Sequence, residues 1–553
     1  MSLDGFLTFL ALAVAIYAVV PPVTKLRAKL GLVIQVLLAL GAFGLVLYLL
    51  FFDAVGQPCP SVVAAICNPV TFPDGGSFTP ARAAFLVVIA WVPLAWVINW
   101  ILWRTSVSLP TLSALIDELV FEQRFAEVLT LMEPHFRLIE RAARRKLPLQ
   151  KLHDRLVVLG GGGTIEQMLA EINRRRVLGV ADDDDDRRQP IFNKLRHWAS
   201  KLVAIVPAQS RAETEAEDIA RVLFRSADLR RFIARMRPYF AIHLLRLDLY
   251  GKHDLSDAFF GDLISDTGSV LYQELQQNQN TVSCGYALPA SNRLLHFLFV
   301  DAHTAKQLAV WKPIGEHVMK MLRTDGPADY VAWLNGSAED FNDERWQDPT
   351  FVSIFFFDVM VTAAACQGIQ WHMWLYYFPY FVDRLEKFYD TSNPHVNPNA
   401  EFPTRSARLI YEVIDVLGRW VSLVERLPEN SPHLNISQFK KFGNDNGNIP
   451  VSAAVALGSC METIANSNKL GDRFAGYMHE CIMRDMRSLP HNGEQGQMRQ
   501  FLIQSIVHGG QRGADAQYGQ RLATFWSMAD HVLRSDLDDY ESAIRAEYPG
   551  VLP

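Results

Sequence analysis

Three uncharged apolar stretches fall within the first 103 residues, and they constrain this chain more than anything that follows. Residues 6–20, 30–52 and 83–103 carry no charged side chain, and the second and third reach the roughly 20 residues that a hydrocarbon core demands of a helix. The connector after the first holds Lys25, Arg27 and Lys29, whereas the loop 53–82 holds Asp53, Asp74 and Arg82. Lysine and arginine accumulate on the cytoplasmic side of a membrane. The expectation is therefore three transmembrane helices, an external N-terminus, and a cytoplasmic body after Trp103, in the manner of a multi-pass protein of a bacterial inner membrane. Trp91, Trp96, Trp100 and Trp103 lie in the third stretch, and the last two suit the headgroup zone at its inner end.

A chain of 553 residues outgrows one hydrophobic core, so a membrane unit (1–103) plus one or two soluble units is expected. A net charge of −6 argues against a nucleic-acid binder, which needs a basic excess. A cleaved signal peptide is not expected, because Met1-Ser2-Leu3-Asp4 has no basic region ahead of the apolar run. Of six cysteines, Cys59 and Cys67 fall in the external loop beside Pro60 and Pro69, and are read as a disulfide. Cys284, Cys366, Cys460 and Cys481 fall in the body. Cytoplasmic thiols stay reduced, so these four are expected to be buried free thiols.

Past the membrane unit, residues 104–177 form a juxtamembrane segment. Leu115, Ile116, Leu119 and Val120, then Phe125, Val128, Leu129 and Met132, recur at helical spacing and predict a helical hairpin. Between 137 and 176 ten lysines and arginines face four acids, a net of +6. Arg144, Arg145, Lys146, Arg174, Arg175 and Arg176 are thus candidates for contact with anionic lipid, against the plainer reading of solvated helix faces. Four glycines at 160–163 lack the closing Lys-Ser/Thr of a phosphate loop and read as a joint. Five aspartates at 182–186 repel one another and mark 178–190 as an acidic linker. Beyond it, Lys194, Trp198 and Lys201 sit on a basic amphipathic segment that suits either a membrane surface or a domain edge.

The remainder, 191–553, reads as a large helical domain with minor β content, its best strand at 281–288 and a division into two subdomains near 391–403. Residues 351–382 are apolar and aromatic, with Asp358 the only charge before Asp383. Length invites a fourth span. Gln367-Gly368-Ile369-Gln370 cuts the run, however, and a mid-depth carboxylate is costly in lipid. Buried core helices are the more economical reading. Trp371, His372 and Trp374 form the densest aromatic cluster and, with Asp358, are candidates for a ligand pocket.

Catalytic patterns fail on inspection. His479-Glu480-Cys481-Ile482-Met483 starts like a zinc helix but lacks the second histidine. Residues 444–448 resemble the middle of a calcium loop, yet Phe442 and Ala453 occupy its first and last ligand positions. Gly458-Ser459-Cys460 has no strand before it, as a nucleophile elbow requires. The pairs Asp301/His303 and Asp530/His531 are the chance neighbours that 15 histidines produce. Asn335-Gly336-Ser337 and Asn435-Ile436-Ser437 have the form of glycosylation sites, idle in a cytoplasmic body. No metal or cofactor is expected. The expected partners are the lipid bilayer and either another protein or a second copy. The leading expectation is a membrane-tethered sensor or scaffold; the rivals are a membrane-anchored enzyme with dispersed catalytic residues and a membrane-perturbing effector gated by its body.

Overall fold

The structure, a computed structural model, describes residues 32–50, most of 82–97, 109–143, 198, 211–246, 252–370, 377–436, 447–510, 513 and 515–552. It is mainly helical, with no strand among the described residues. The predicted strand at 281–288 reduces to one antiparallel bridge, Thr281 to Tyr286. Too few residues separate these two for more than a tight loop. The chain divides into two compact units, Met1–Leu229 with Leu247–Tyr250, and Arg230–Arg246 with Gly251–Pro553.

In the first unit, α1 (Leu32–Leu50) carries no charge and packs through Val46 and Leu49 onto Ala84, in a second helical stretch running from Arg82 to Trp91. Other faces leave Leu37, Leu40, Phe43, Phe85 and Ile89 exposed. The stretch 6–20 and the pair Cys59 and Cys67 lie outside the described residues. Further along come α2 (Leu109–Phe121) and α3 (Phe125–Ala143), the hairpin that helical spacing predicted. Its turn requires Gln123 to adopt φ +58°, and Arg124 fastens it by bonding Glu122 and Glu127. A third helix, α4 (Arg211–Arg225), covers the apolar sides of both. Ile116, Leu119, Val128, Met132, Ile219 and Leu223 form that core, each nearly or wholly inaccessible.

The second unit begins within α5 (Ala227–Met236) and continues through α6 (Pro238–Leu245), α7 (Lys252–Ser265), α8 (Val270–Gln277), α9 (Arg293–Phe299), α10 (Ala302–Leu308) and α11 (Trp311–Met321). Then come α12 (Ala328–Leu334), α13 (Phe341–Glu344), α14 (Pro349–Cys366), α15 (Tyr377–Lys387) and α16 (Arg405–Val421). The last six are α17 (Ile449–Asn466), α18 (Asp472–Ser488), α19 (Gly493–Val507), α20 (Ala516–Met528), α21 (His531–Ser535) and α22 (Asp538–Glu547).

This unit is organised by α14, which is apolar on every side and must therefore be enclosed on every side. It starts where Asp348 accepts hydrogen bonds from the backbone of Thr350 and Phe351, with Pro349 in the first turn, a combination that favours helix initiation. It stops at the Gln367-Gly368 break, where Gly368 takes a left-handed φ of +70°. It is long and apolar enough to cross a membrane, yet 83% of it is buried within the protein, with α8, α9, α10, α11 and α16 among its neighbours. Enclosure by protein fits a core helix. An aromatic layer follows, in which the Phe378 ring stacks on Trp420 at 4.9 Å and Phe357 meets Phe378 edge-on at 5.7 Å.

Residues 391–403 connect α15 to α16, and α15 also packs on α17 beyond them. Helix α17 lies closest to α19, because Gly458 faces Gly510 in the turn that ends α19. A Cβ on Gly458 would meet the carbonyl oxygen of Ser505 and stand 2.6 Å from the amide of Gly510. The run Gly458-Ser459-Cys460 is thus a helix-packing notch.

One cysteine reading is corrected. Cys284 and Cys366 are bonded to each other, with their Cα atoms 6.0 Å apart, whereas Cys460 and Cys481 take part in no disulfide. Their 82-residue separation gave no local spacing from which to pair them.

Candidate functional site

Asp358 sits midway along α14 and is only 1% exposed. Removing a carboxylate from water costs several kcal/mol unless hydrogen bonds replace the lost solvation. Four side chains supply them. Tyr286 donates through its hydroxyl at 2.6 Å, Arg419 through Nη2 at 2.6 Å, Trp420 through Nε1 at 2.8 Å, and Thr362 through Oγ1 at 3.3 Å. Trp420 is fully buried, while the Arg419 side chain keeps 44% of its surface open to solvent. Arg419 thus links the buried carboxylate to solvent.

Tyr286 arrives from the loop between α8 and α9. Gly285 takes φ +99°, and a Cβ there would meet Thr362 Cγ2 at 3.5 Å and Cys366 Sγ at 3.7 Å. The Cys284–Cys366 bond holds this loop against α14, and the Tyr286 ring meets Phe355 edge-on at 5.5 Å. Desolvation and the Asp358 charge both raise the Tyr286 hydroxyl pKa, so it acts as a donor.

Outward from Arg419 the polar groups continue along α16 and α18, which run side by side. Arg419 also pairs with Asp415, one turn before it. The Asp485 carboxylate rests directly on Gly418, the space a Cβ would fill. Burial, then the neighbouring Asp415, pushes Asp485 up to about 7, against the opposing pull of Arg419 and Arg484. The Cys481 thiol is pushed up to about 11 by burial. Further along, the rings of Tyr411 and Tyr477 stack at 6.2 Å, with the Arg408 guanidinium 4.9 Å from Tyr411 and that of Arg484 5.6 Å from Tyr477. The seam can hold or release one proton near neutrality beside a half-exposed guanidinium.

Of the residues singled out in the sequence, Asp358 lies at the centre of this site. Trp371, His372 and Trp374 lie outside the described residues, as do Arg144, Arg145, Lys146, Arg174, Arg175, Arg176, Lys194 and Lys201. Trp198 is described, and is 68% exposed. Several other motifs serve the fold. His479 is fully buried, bonds Tyr540 through Nε2 at 2.8 Å, and is pushed down to about 3 by desolvation. Asn448 caps α17 and donates to the His433 carbonyl at 2.7 Å. Asp301 caps α10 and Asp530 caps α21. Asn335 donates to the Phe388 carbonyl at 2.8 Å. Among the described residues no three His, Cys, Asp or Glu side chains converge as metal ligands.

Tyr286, Arg419, Trp420, Asp415 and Asp485 were not found by sequence reading. Only the spacing of Asp415 and Arg419, one helical turn apart, offered a local signal. No protein-family model, curated protein or solved structure matches the chain.

Proposed function

We propose that this protein is a membrane-tethered sensor or scaffold, whose helical body recognises a protein partner or a second copy of itself. In this reading the three N-terminal stretches cross the bilayer, the N-terminus and a Cys59–Cys67 disulfide loop lie outside, and the body lies on the cytoplasmic side. The carrying observation is how the deeply buried charges are used. Glu274, Asp348, Asp358 and Arg499 each bond three or more protein donors or acceptors, so each braces the fold. Such saturated groups specify a rigid shape, which recognition needs. Exposed Leu37, Leu40, Phe43, Phe85, Leu86 and Ile89 support the membrane part, since a patch of that kind is penalised in water and not in lipid.

The test is site-specific photocrosslinking in intact membranes, with probes on the half-exposed α16–α18 face. A discrete crosslinked band, absent when Arg419 is replaced by Glu, is the expected result; no band at any position on the body would overturn the reading. A membrane-anchored enzyme is the second reading, favoured by Asp485, a carboxylate held near neutral pKa beside another carboxylate. Turnover by the purified protein that disappears in Asp485→Asn, with helix content unchanged, would establish it instead.

A further inference from the structure

The loop from Asn278 to Asn292 is anchored at its ends to α8, where the Asn278 amide donates to the Leu275 carbonyl and Asn292 Nδ2 to the Glu274 carbonyl, and its middle is held mainly by attachments to α14. Internally, the Val282 amide donates to the Gly285 carbonyl and the Ala287 amide to the Asn280 carbonyl, both at 2.8 Å. Val282 is 50% exposed, and Cys284 and Cys366 are both half-buried. Externally, four contacts seat the loop on one face of α14: the Cys284–Cys366 bond, the fit of Gly285 over Thr362, the Tyr286 hydrogen bond to Asp358, and the Tyr286 ring against Phe355. The covalent bond thus lies two residues from the side chain that covers the buried carboxylate and its Arg419 partner.

We propose that Cys284 and Cys366 form a reversible thiol–disulfide site, oxidised by peroxide and reduced by a dithiol protein of the thioredoxin type, and that its state sets the cover over Asp358 and Arg419. This rests on the cytoplasmic placement of the body proposed above. Disulfides there are generally transient or sensing, whereas in an oxidising compartment the same bond is a permanent staple. In oxidation, one thiolate attacks a peroxide oxygen and becomes a sulfenic acid as hydroxide leaves and takes a proton. The second thiol then displaces water from that sulfur, so two electrons pass to the peroxide. In reduction, a thiolate of the dithiol attacks one sulfur and releases the other cysteine. Its second thiolate then resolves the mixed disulfide, and the two dithiol protons end on Cys284 and Cys366. Without the bond, Tyr286 retains only a hydrogen bond and a ring contact, and the loop opens by local unfolding.

Differential alkylation and mass spectrometry of the Cys284 and Cys366 peptides from cells expressing the full chain tests the chemistry. A reporter fused after Pro553 tests the topology separately. The expected result is thiols in unstressed cells, a bonded pair after peroxide, and recovery when peroxide is removed. In purified full-length protein in detergent, reductant should raise chymotryptic cleavage after Tyr286 about tenfold, with helix content unchanged. The Cys284→Ser/Cys366→Ser protein should be cut at that faster rate with or without reductant. If that variant does not fold, the wild-type comparison with and without reductant stands alone. A pair that stays bonded in unstressed cells with the reporter inside overturns the proposal, as does a pair that peroxide never oxidises. Equal cleavage in both redox states overturns the covering role. A reporter found outside defeats the topology on which the proposal rests and shows that failure by itself.

Discussion

Single residues carry most of the specificity of this fold. Arg499 is 1% exposed and forms a two-point pair with Asp539 at 2.8 and 2.9 Å, while its other donors reach the carbonyls of Met486, Leu489 and Asp536. It therefore closes the end of α18 against α21 and α22. Replacing it by Ala strands a carboxylate and three carbonyls, and should cost about 3–5 kcal/mol in urea unfolding. Exposed Arg323, paired with Asp325, should cost about 1 kcal/mol or less when replaced in the same way. A second prediction concerns Asp485. Its folded pKa of about 7 lies above the ordinary aspartate value of 3.8, so between these limits the folded state binds more protons than the unfolded one. Its contribution to stability is present below about pH 4 and is lost as pH rises towards 7. His479, pushed down from 6.5 to about 3, has the opposite sign: its burial destabilises increasingly as pH falls through that window. The wild-type curve mixes these with Asp348, raised to about 6, and His317 and His433, lowered to about 4, so the difference between wild type and Asp485→Asn is the quantity to measure. That difference should swing in favour of the variant as pH rises from 4 to 7; a flat difference would remove Asp485 from the argument. At this scale the sequence was half legible. Asp358 stood out as the one charge in an apolar run, but its partners come from positions 286, 419 and 420, and no local pattern joins them.

Helices were far more legible than the contacts between them, because periodicity is written into neighbouring residues and packing is not. The hairpin after residue 104 follows from apolar spacing, and the same spacing reads helices at 408–427, 450–466, 473–489 and 498–507, which the structure forms at 405–421, 449–466, 472–488 and 493–507. The segment 518–548 reads as one helical run, but the structure breaks it where Ala529 and Asp530 leave the helix and Asp530 caps α21. What periodicity misses is close approach. Gly458→Ala forces α17 away from the end of α19, and overpacking of this kind should destabilise by about 1–3 kcal/mol. Gly510→Ala should be at least as costly, since position 510 takes φ +64° and abuts Val455 and Ser459. Gly261, inside α7 with open space where a Cβ would stand, should respond in the other direction. Alanine there should gain roughly 0.5–1 kcal/mol, the ordinary helix-propensity difference. Thermal or urea unfolding of the three variants decides the matter. Three equal losses would mean that helix propensity and notch packing have been wrongly separated.

For the whole molecule, the strongest constraint is where its apolar surface goes. The body hides α14, a helix long and apolar enough to span a membrane, inside other helices, while α1 and the stretch from Arg82 to Trp91 leave large apolar side chains outward. These two opposite arrangements came from similar compositions. What separated them in sequence was the Gln367-Gly368 break and the internal charge of Asp358, both absent from residues 30–52. If lipid surrounds α1, a lysine at Leu40, near its middle and 61% exposed, should oppose insertion by about 2.5–3.5 kcal/mol. Alkaline extraction of membranes should then release a measurable share of Leu40→Lys protein, with wild type remaining in the pellet. Lysine at Val532, also exposed but on the body, should leave the distribution unchanged. Equal extraction of all three proteins would mean that α1 covers itself with protein, and the membrane tether would have to be abandoned.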